Sequence, residues 1–91
     1  MSAYPNWADH QSFREIDQRL GLPKGSAFRA FKSIEASLAE GSDYVLLLAG
    51  EDHAAIGALR AEGRVYATSR NVVLLAPAVG ARVVTLLQND R

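Results

Sequence analysis

The chain has 91 residues, of which 48% are hydrophobic and 22% charged, so it can form one thin core and no second domain. Its ten basic and ten acidic residues cancel, which excludes a protein that coats nucleic acid through excess charge alone. The absence of cysteine excludes disulfide bonds, thiol catalysis and thiolate metal sites. We therefore expect one folded domain over residues 12–91.

The first eleven residues contain Pro5, Asn6 and Asp9, which disfavour regular structure, and they predict an irregular N-terminal arm over residues 1–11. No basic region followed by an apolar stretch is present there, so no signal peptide is expected. The longest apolar run, residues 44–50, is too short to cross a bilayer. We expect a cytoplasmic protein that makes no contact with a membrane.

A first helix is predicted over residues 13–20. Ser12 is followed three residues later by Glu15, which is the capping-box pattern of a helix N-terminus. Gly21 then supplies the residue that can adopt a left-handed conformation and end the helix.

A second helix is predicted after Pro23, which prevents the first helix from continuing. It begins at Lys24 or Ser26 and runs to about Glu40, completing a helical pair over residues 12–40. Helical periodicity gives it one apolar stripe, with polar residues opposite. The stripe contains Ala27, Ala30, Phe31, Ile34 and Leu38.

Residues 44–91 predict a mixed α/β part of the same domain. The patterns indicate a strand over residues 44–49, a helix over 54–62, a hairpin of strands 64–68 and 71–75 joined by Ser69 and Arg70, and a last element over 79–87. That last element fits a helix or a strand, and we favour the helix. The resulting order, α-α-β-α-β-β-α, predicts the α+β class.

Residues 20–22 read apolar, glycine, apolar, and Ile16 lies one helical turn before them. Ala27 and Ala30 provide small inward positions in the second helix. Over residues 12–38 this pattern resembles the helix-turn-helix of bacterial, phage and plasmid DNA-binding regulators. In that family the glycine lets two helices meet at a steep angle, which the apolar positions fix.

The resemblance implies a transcriptional regulator that binds double-stranded DNA as a homodimer, with the second helix in the major groove. Arg29 is the expected reader of a base edge, since arginine forks onto the acceptors of guanine. The other residues expected to face DNA, mainly through its phosphates, are Arg14, Arg19, Lys24, Ser26, Lys32 and Ser33. Apolar residues 72–75 and 83–87 offer a pairing surface for the dimer.

Residues 52–76 carry a second, weaker resemblance. A helix followed by a hairpin is similar to the helix and wing of winged-helix proteins. Arg64 and Arg70 would then contact phosphates from the wing. The alternative is that both arginines are merely exposed to solvent at a sheet edge and contact no DNA.

No catalytic motif is visible, so we expect neither an enzyme nor a cofactor. Residues 51–53, Glu-Asp-His, point in different directions on a turn or helix start, so no metal site is expected. A non-enzymatic protein-interaction module, an adaptor or inhibitor that binds through its apolar C-terminal half, is the alternative to the DNA-binding regulator. The neutral net charge favours the module, and the basic residues between Arg14 and Lys32 favour the regulator.

Overall fold

The computed structural model describes residues 9–68 and 70–89, which form an α+β fold. In chain order the elements are β1 (Gln11–Ser12), α1 (Phe13–Leu20), α2 (Ser26–Ile34), a 3-10 turn (Glu35–Ser37), β2 (Tyr44–Leu47), α3 (His53–Ala61), β3 (Val72–Leu75) and α4 (Pro77–Asn89). The predicted α+β class is confirmed, whereas the predicted order α-α-β-α-β-β-α differs from the observed one. Of the predicted N-terminal arm, residues 1–8 lie outside the described residues, and Gln11 lies in a strand.

β3 is the central strand of a three-stranded antiparallel sheet with the order β1-β3-β2. In this register Leu74 lies opposite Val45 of β2 and opposite Ser12 of β1. Because side chains alternate along a strand, Leu74 and Leu75 point to opposite faces of the sheet. Each of them is fully buried in a separate hydrophobic cluster.

Helices cover both faces of this sheet. On one face α3 and the segment after it form a cluster of Leu47, Ala55, Ile56, Leu59, Val65, Val72 and Leu74. On the other face α1, α2 and α4 form a cluster of Ile16, Ala27, Phe31, Leu75, Val79 and Val83. Both clusters draw on β3, which therefore connects the two halves of the core.

The predicted start and end of α1 are confirmed. The Ser12 hydroxyl accepts from the Glu15 amide at 3.1 Å, and the Glu15 carboxylate accepts from the Ser12 amide at 2.9 Å, which completes the capping box. Gly21 follows the helix with φ 66°, in the left-handed region. These contacts join residues close in sequence, which is why the local pattern was sufficient to predict them.

α2 ends earlier than predicted. It begins at Ser26, as expected, but stops at Ile34 and passes through the 3-10 turn instead of reaching Glu40. The Asp43 carboxylate accepts from the Ala39 amide at 2.8 Å, and Gly41 has φ 99°. These contacts form a tight turn into β2, and its backbone conformation prevents α2 from continuing to Glu40.

The predicted strand over residues 64–68 is not formed, so the predicted hairpin is wrong. Both edges of β3 are already paired, one with β2 and the other with the short β1 that the sequence did not predict. The backbone of residues 64–68 lies in bends and turns, and Ser69 lies outside the described residues. The side chains of Arg64 and Tyr66 contact α1 instead.

The predicted strands at 44–49 and 71–75 and the predicted helices at 54–62 and 79–87 are confirmed as β2, β3, α3 and α4. Pro77 opens α4, where its missing N–H costs no hydrogen bond. Most of the apolar C-terminal residues are used inside the molecule, because Val72, Leu74, Leu75 and Val83 are buried. No helix among the described residues is long and apolar enough to span a membrane.

Candidate nucleic-acid interface

A buried carboxylate joins α1 to the start of α2. Asp17, on α1, is only 1% exposed. Its Oδ1 accepts from the Ala27 amide at 2.8 Å, and its Oδ2 accepts from the Gly25 amide at 3.1 Å and from the Tyr66 hydroxyl at 2.6 Å. The first amides of a helix lack partners within that helix and favour negative charge. Asp17 therefore caps α2 in place of Gly25, the N-cap residue, which has no side chain.

The turn between the helices has the geometry that its glycine predicts. The Gly21 amide donates to the Gln18 carbonyl at 3.2 Å, and the Leu22 amide donates to the Asp17 carbonyl at 2.9 Å. Ile16 and Ala27, the predicted inward positions on either side, are fully buried. The two helices are thus fixed to one another by apolar packing as well as by the Asp17 cap.

The outer face of α2 carries an exposed polar ridge of Arg29, Lys32 and Ser33. The Lys32 ammonium forms an ion pair with Glu35 at 2.6 Å, and the Ser33 hydroxyl donates to the Ala30 carbonyl at 2.6 Å. Within the described part of the chain, the Arg29 guanidinium has no hydrogen bond or ion pair. It is therefore the cation on this ridge with donors available to another molecule.

Ser26 does not lie on that exposed ridge, contrary to the prediction that it faces DNA. It is 7% exposed, and its hydroxyl donates to the Pro23 carbonyl at 2.8 Å. This local bond to the turn before α2 uses its hydroxyl; α4 packs beside α2, and Leu86 and Leu87 line the same depression as Ser26.

Two of the predicted DNA contacts hold the segment after α3 against α1. The Arg14 guanidinium donates to the Gly63 carbonyl and lies 6.0 Å from the centre of the Tyr66 ring. The Arg64 side chain, 16% exposed, bonds Glu15 at 3.1 Å and the His10 carbonyl at 2.7 Å. With no strand at residues 64–68, Arg64 is not part of a wing.

The remaining predicted cations lie on the surface. Arg19 is exposed in the last turn of α1, and Arg70 is exposed just before β3. Lys24 is exposed in the turn before α2, where its ammonium donates to the Thr68 hydroxyl at 2.8 Å and lies 4.9 Å from the centre of the Tyr66 ring. Lys24 and Arg29 therefore flank the start of α2.

The role of Asp17 as a cap, with Tyr66 as its partner, was not predicted from the sequence. Burial, followed by the hydrogen bond from Tyr66 to Asp17 and the charge of that carboxylate, raises the pKa of Tyr66 to about 12. No local signal connects these residues, because 49 positions separate them. Phe28, beside Arg29 on α2, is 47% exposed and was not predicted as a site residue.

Comparison of the chain with protein-family models, curated proteins and solved structures finds no match. Across residues 9–68 and 70–89, no group of three or more His, Asp or Glu side chains is placed to hold a metal ion. Two features of the molecule itself bear on function: the fixed pair α1 and α2, and the exposed ridge on α2.

Proposed function

We propose that the protein is a DNA-binding transcriptional regulator and that α2 is its recognition helix. The observation that carries the proposal is the guanidinium of Arg29, which has no partner in the described chain and lies on the exposed face of a helix whose opposite face is locked in the core. An arginine in this position can donate two hydrogen bonds to the guanine edge in the major groove.

In this proposal the neighbouring cations contact the DNA backbone and do not read the base sequence. Lys24 and Arg19 lie near the turn, where they would contact phosphates and contribute affinity without reading sequence. Lys32 would contribute in the same way after exchanging Glu35 for a phosphate. Asp17 takes no part in binding; by capping α2 it fixes where Arg29 lies relative to α1.

Titration of a fluorescently labelled random duplex, followed by anisotropy at several salt concentrations, tests the proposal. We expect binding at low salt that weakens steeply as salt rises, because phosphate contacts release bound counterions. Lys32→Ala should reduce the slope of log affinity against log salt by about 1. On a duplex selected for tight binding, Arg29→Ala should weaken affinity by about five- to a hundredfold, which corresponds to one lost bidentate base contact.

Arg60→Gln is the matched control, because Arg60 is an exposed arginine on α3, which covers the opposite face of the sheet. It should leave affinity for the selected duplex unchanged. Absence of any binding by the unmodified protein at low salt would overturn the proposal, as would equal losses in Arg29→Ala and Arg60→Gln.

The homodimer belongs to the same proposal, since symmetric operators pair with two-fold symmetric proteins. Within the expected pairing surface Val72, Leu74, Leu75 and Val83 are buried, whereas Val73 and residues 84–87 remain partly or fully exposed. Sedimentation at several protein concentrations measures the association directly. A protein that stays monomeric at every concentration, with and without DNA, would contradict the dimer. The role of α2 would still be tested by the DNA titration.

A protein-interaction module is the second candidate, and the exposed side chain of Phe28 favours it. The binding surface first expected for it, the apolar C-terminal half, is largely occupied by the core. Phe28 and Leu48 are the large hydrophobic residues that the described chain exposes. A protein that fails to bind any duplex at low salt would favour this function over DNA binding.

A further inference from the structure

A half-open groove lies beside α2, on the side of the helix that carries Phe28. Its volume is about 450 Å³, and its walls include Phe13, Phe28, Phe31, Val65, Tyr66 and Val73. This volume lies in the range of pockets that bind small organic molecules. The groove is distinct from the depression lined by Ser26, Arg29 and Ser33 on the other side of the helix.

The aromatic wall of the groove is already packed. The ring of Phe13 lies 5.7 Å from that of Phe28, edge to face, and 5.4 Å from that of Phe31. Phe31 is buried, whereas Phe28 leaves 47% of its surface exposed. A planar ligand would therefore contact rings that already pack against each other, which reduces the side-chain conformational entropy lost on binding.

The charges around the groove are uneven. At one end Lys32 and Glu35 neutralise each other through an ion pair of 2.6 Å. At the other end lie Lys24 and Arg14, whose hydrogen bonds go to the neutral Thr68 hydroxyl and Gly63 carbonyl. Neither of these two cations forms an ion pair with a carboxylate in the described segments, so this end is positive.

Two further polar groups lie near that end, and neither adds exposed negative charge. The Tyr66 hydroxyl, with its pKa raised to about 12, stays neutral at physiological pH. The Asp17 carboxylate is 1% exposed and accepts three hydrogen bonds from inside the protein. An anion that reached Lys24 would therefore meet neither an exposed carboxylate nor a phenolate from these two residues.

We propose that this groove binds a small planar aromatic carboxylate, with its ring against Phe13 and Phe28 and its carboxylate at Lys24 and Arg14. The apolar walls favour the ring, and the positive end selects an anion over a neutral or cationic molecule of the same shape. The site does not depend on DNA binding, so either proposal can fail while the other stands.

Calorimetric titration of the full chain with 2-naphthoate and with its neutral counterpart 2-naphthamide tests the site. We expect the carboxylate to bind about tenfold or more tightly than the amide, because hydrogen bonds to a charged group are stronger than neutral ones. Lys24→Gln should remove most of this preference by weakening the carboxylate alone. Phe28→Ala should weaken both ligands several-fold, since both place the ring against it.

Arg60→Gln should change neither affinity, because Arg60 lies on α3 and does not line the groove. A thermal melt of each variant verifies folding, and if Phe28→Ala does not fold, the exposed Lys24 decides the test by itself. Equal affinities for the two ligands would overturn the proposal. Failure of 2-naphthoate to bind at millimolar concentration would do so too, as would a full preference retained in Lys24→Gln.

Discussion

At the scale of single residues, one polar contact connects residues 64–68, which were wrongly predicted to form a strand, to the pair α1 and α2. The Tyr66 hydroxyl donates to Asp17 at 2.6 Å, and Asp17 caps α2 through two backbone amides. A buried carboxylate is tolerated only when its hydrogen bonds are satisfied. Tyr66 therefore stabilises the paired helices from outside them.

Tyr66→Phe should lower the free energy of unfolding at pH 7 by about 1–2 kcal/mol, a range reduced for the partial exposure of Tyr66. The folded-state pKa of Tyr66 is raised to about 12 from 10.0, so the proton that donates to Asp17 is held more tightly in the folded protein. The stabilisation is thus complete below pH 10 and is lost as the pH rises toward 12.

Urea denaturation at pH 7 and at intervals above pH 9 measures this difference between Tyr66→Phe and the unmodified protein. The gap between the two should narrow above pH 10, where the unfolded tyrosine already ionises. A gap that stays constant or widens across this range would show that the hydroxyl does not donate to Asp17.

At the scale of elements, the turn between α1 and α2 depends on one backbone conformation. Gly21 has φ 66°, and a Cβ added there would meet no atom within 4 Å. The cost of a side chain at this position is therefore conformational and not steric. Gly57, inside α3, also has open space where a Cβ would lie but lacks a positive φ.

Gly21→Ala should destabilise the protein by about 1 kcal/mol, because an L-residue other than glycine is disfavoured in the left-handed region. Gly57→Ala is the matched control and should stabilise the protein by up to about 1 kcal/mol, since alanine favours a helix interior. Chemical denaturation of both variants gives the two signs. Equal effects at the two glycines would contradict a special conformation at Gly21.

At the scale of the whole molecule, the two hydrophobic clusters lie on opposite faces of the sheet, and β3 supplies residues to both. Leu74 belongs to the cluster under α3, and Leu75 belongs to the cluster under α1, α2 and α4. Because adjacent residues of one strand supply both clusters, loss of packing on one face also loosens the strand that the other face needs. We expect the two halves to unfold together.

Leu74→Ala and Leu75→Ala should each destabilise the protein by about 2–5 kcal/mol, because both side chains are fully buried. Each variant should keep a single unfolding transition with the same midpoint by far-ultraviolet and near-ultraviolet circular dichroism. A variant that unfolds in two separate transitions, one for each cluster, would show that the clusters unfold independently. Leu48→Ala, at an exposed leucine, is the control and should cost far less.

The amino-acid sequence determined the features that depend on neighbouring residues. The capping box of Ser12 and Glu15, the end of α1 at Gly21, and the buried stripe of α2 follow from interactions within a few positions. For the same reason the α+β class and the exposure of Arg29 and Lys32 could be predicted.

The tertiary structure decided everything that depends on competition between distant segments. Residues 64–68 have a strand-like sequence, yet β1 occupies the edge of β3 and Arg64 pairs with Glu15, 49 positions away. Asp17 becomes a cap because Tyr66 and Ala27 converge on it. In each case long-range contacts outweigh the local preference of the sequence, and those contacts exist only in the folded chain.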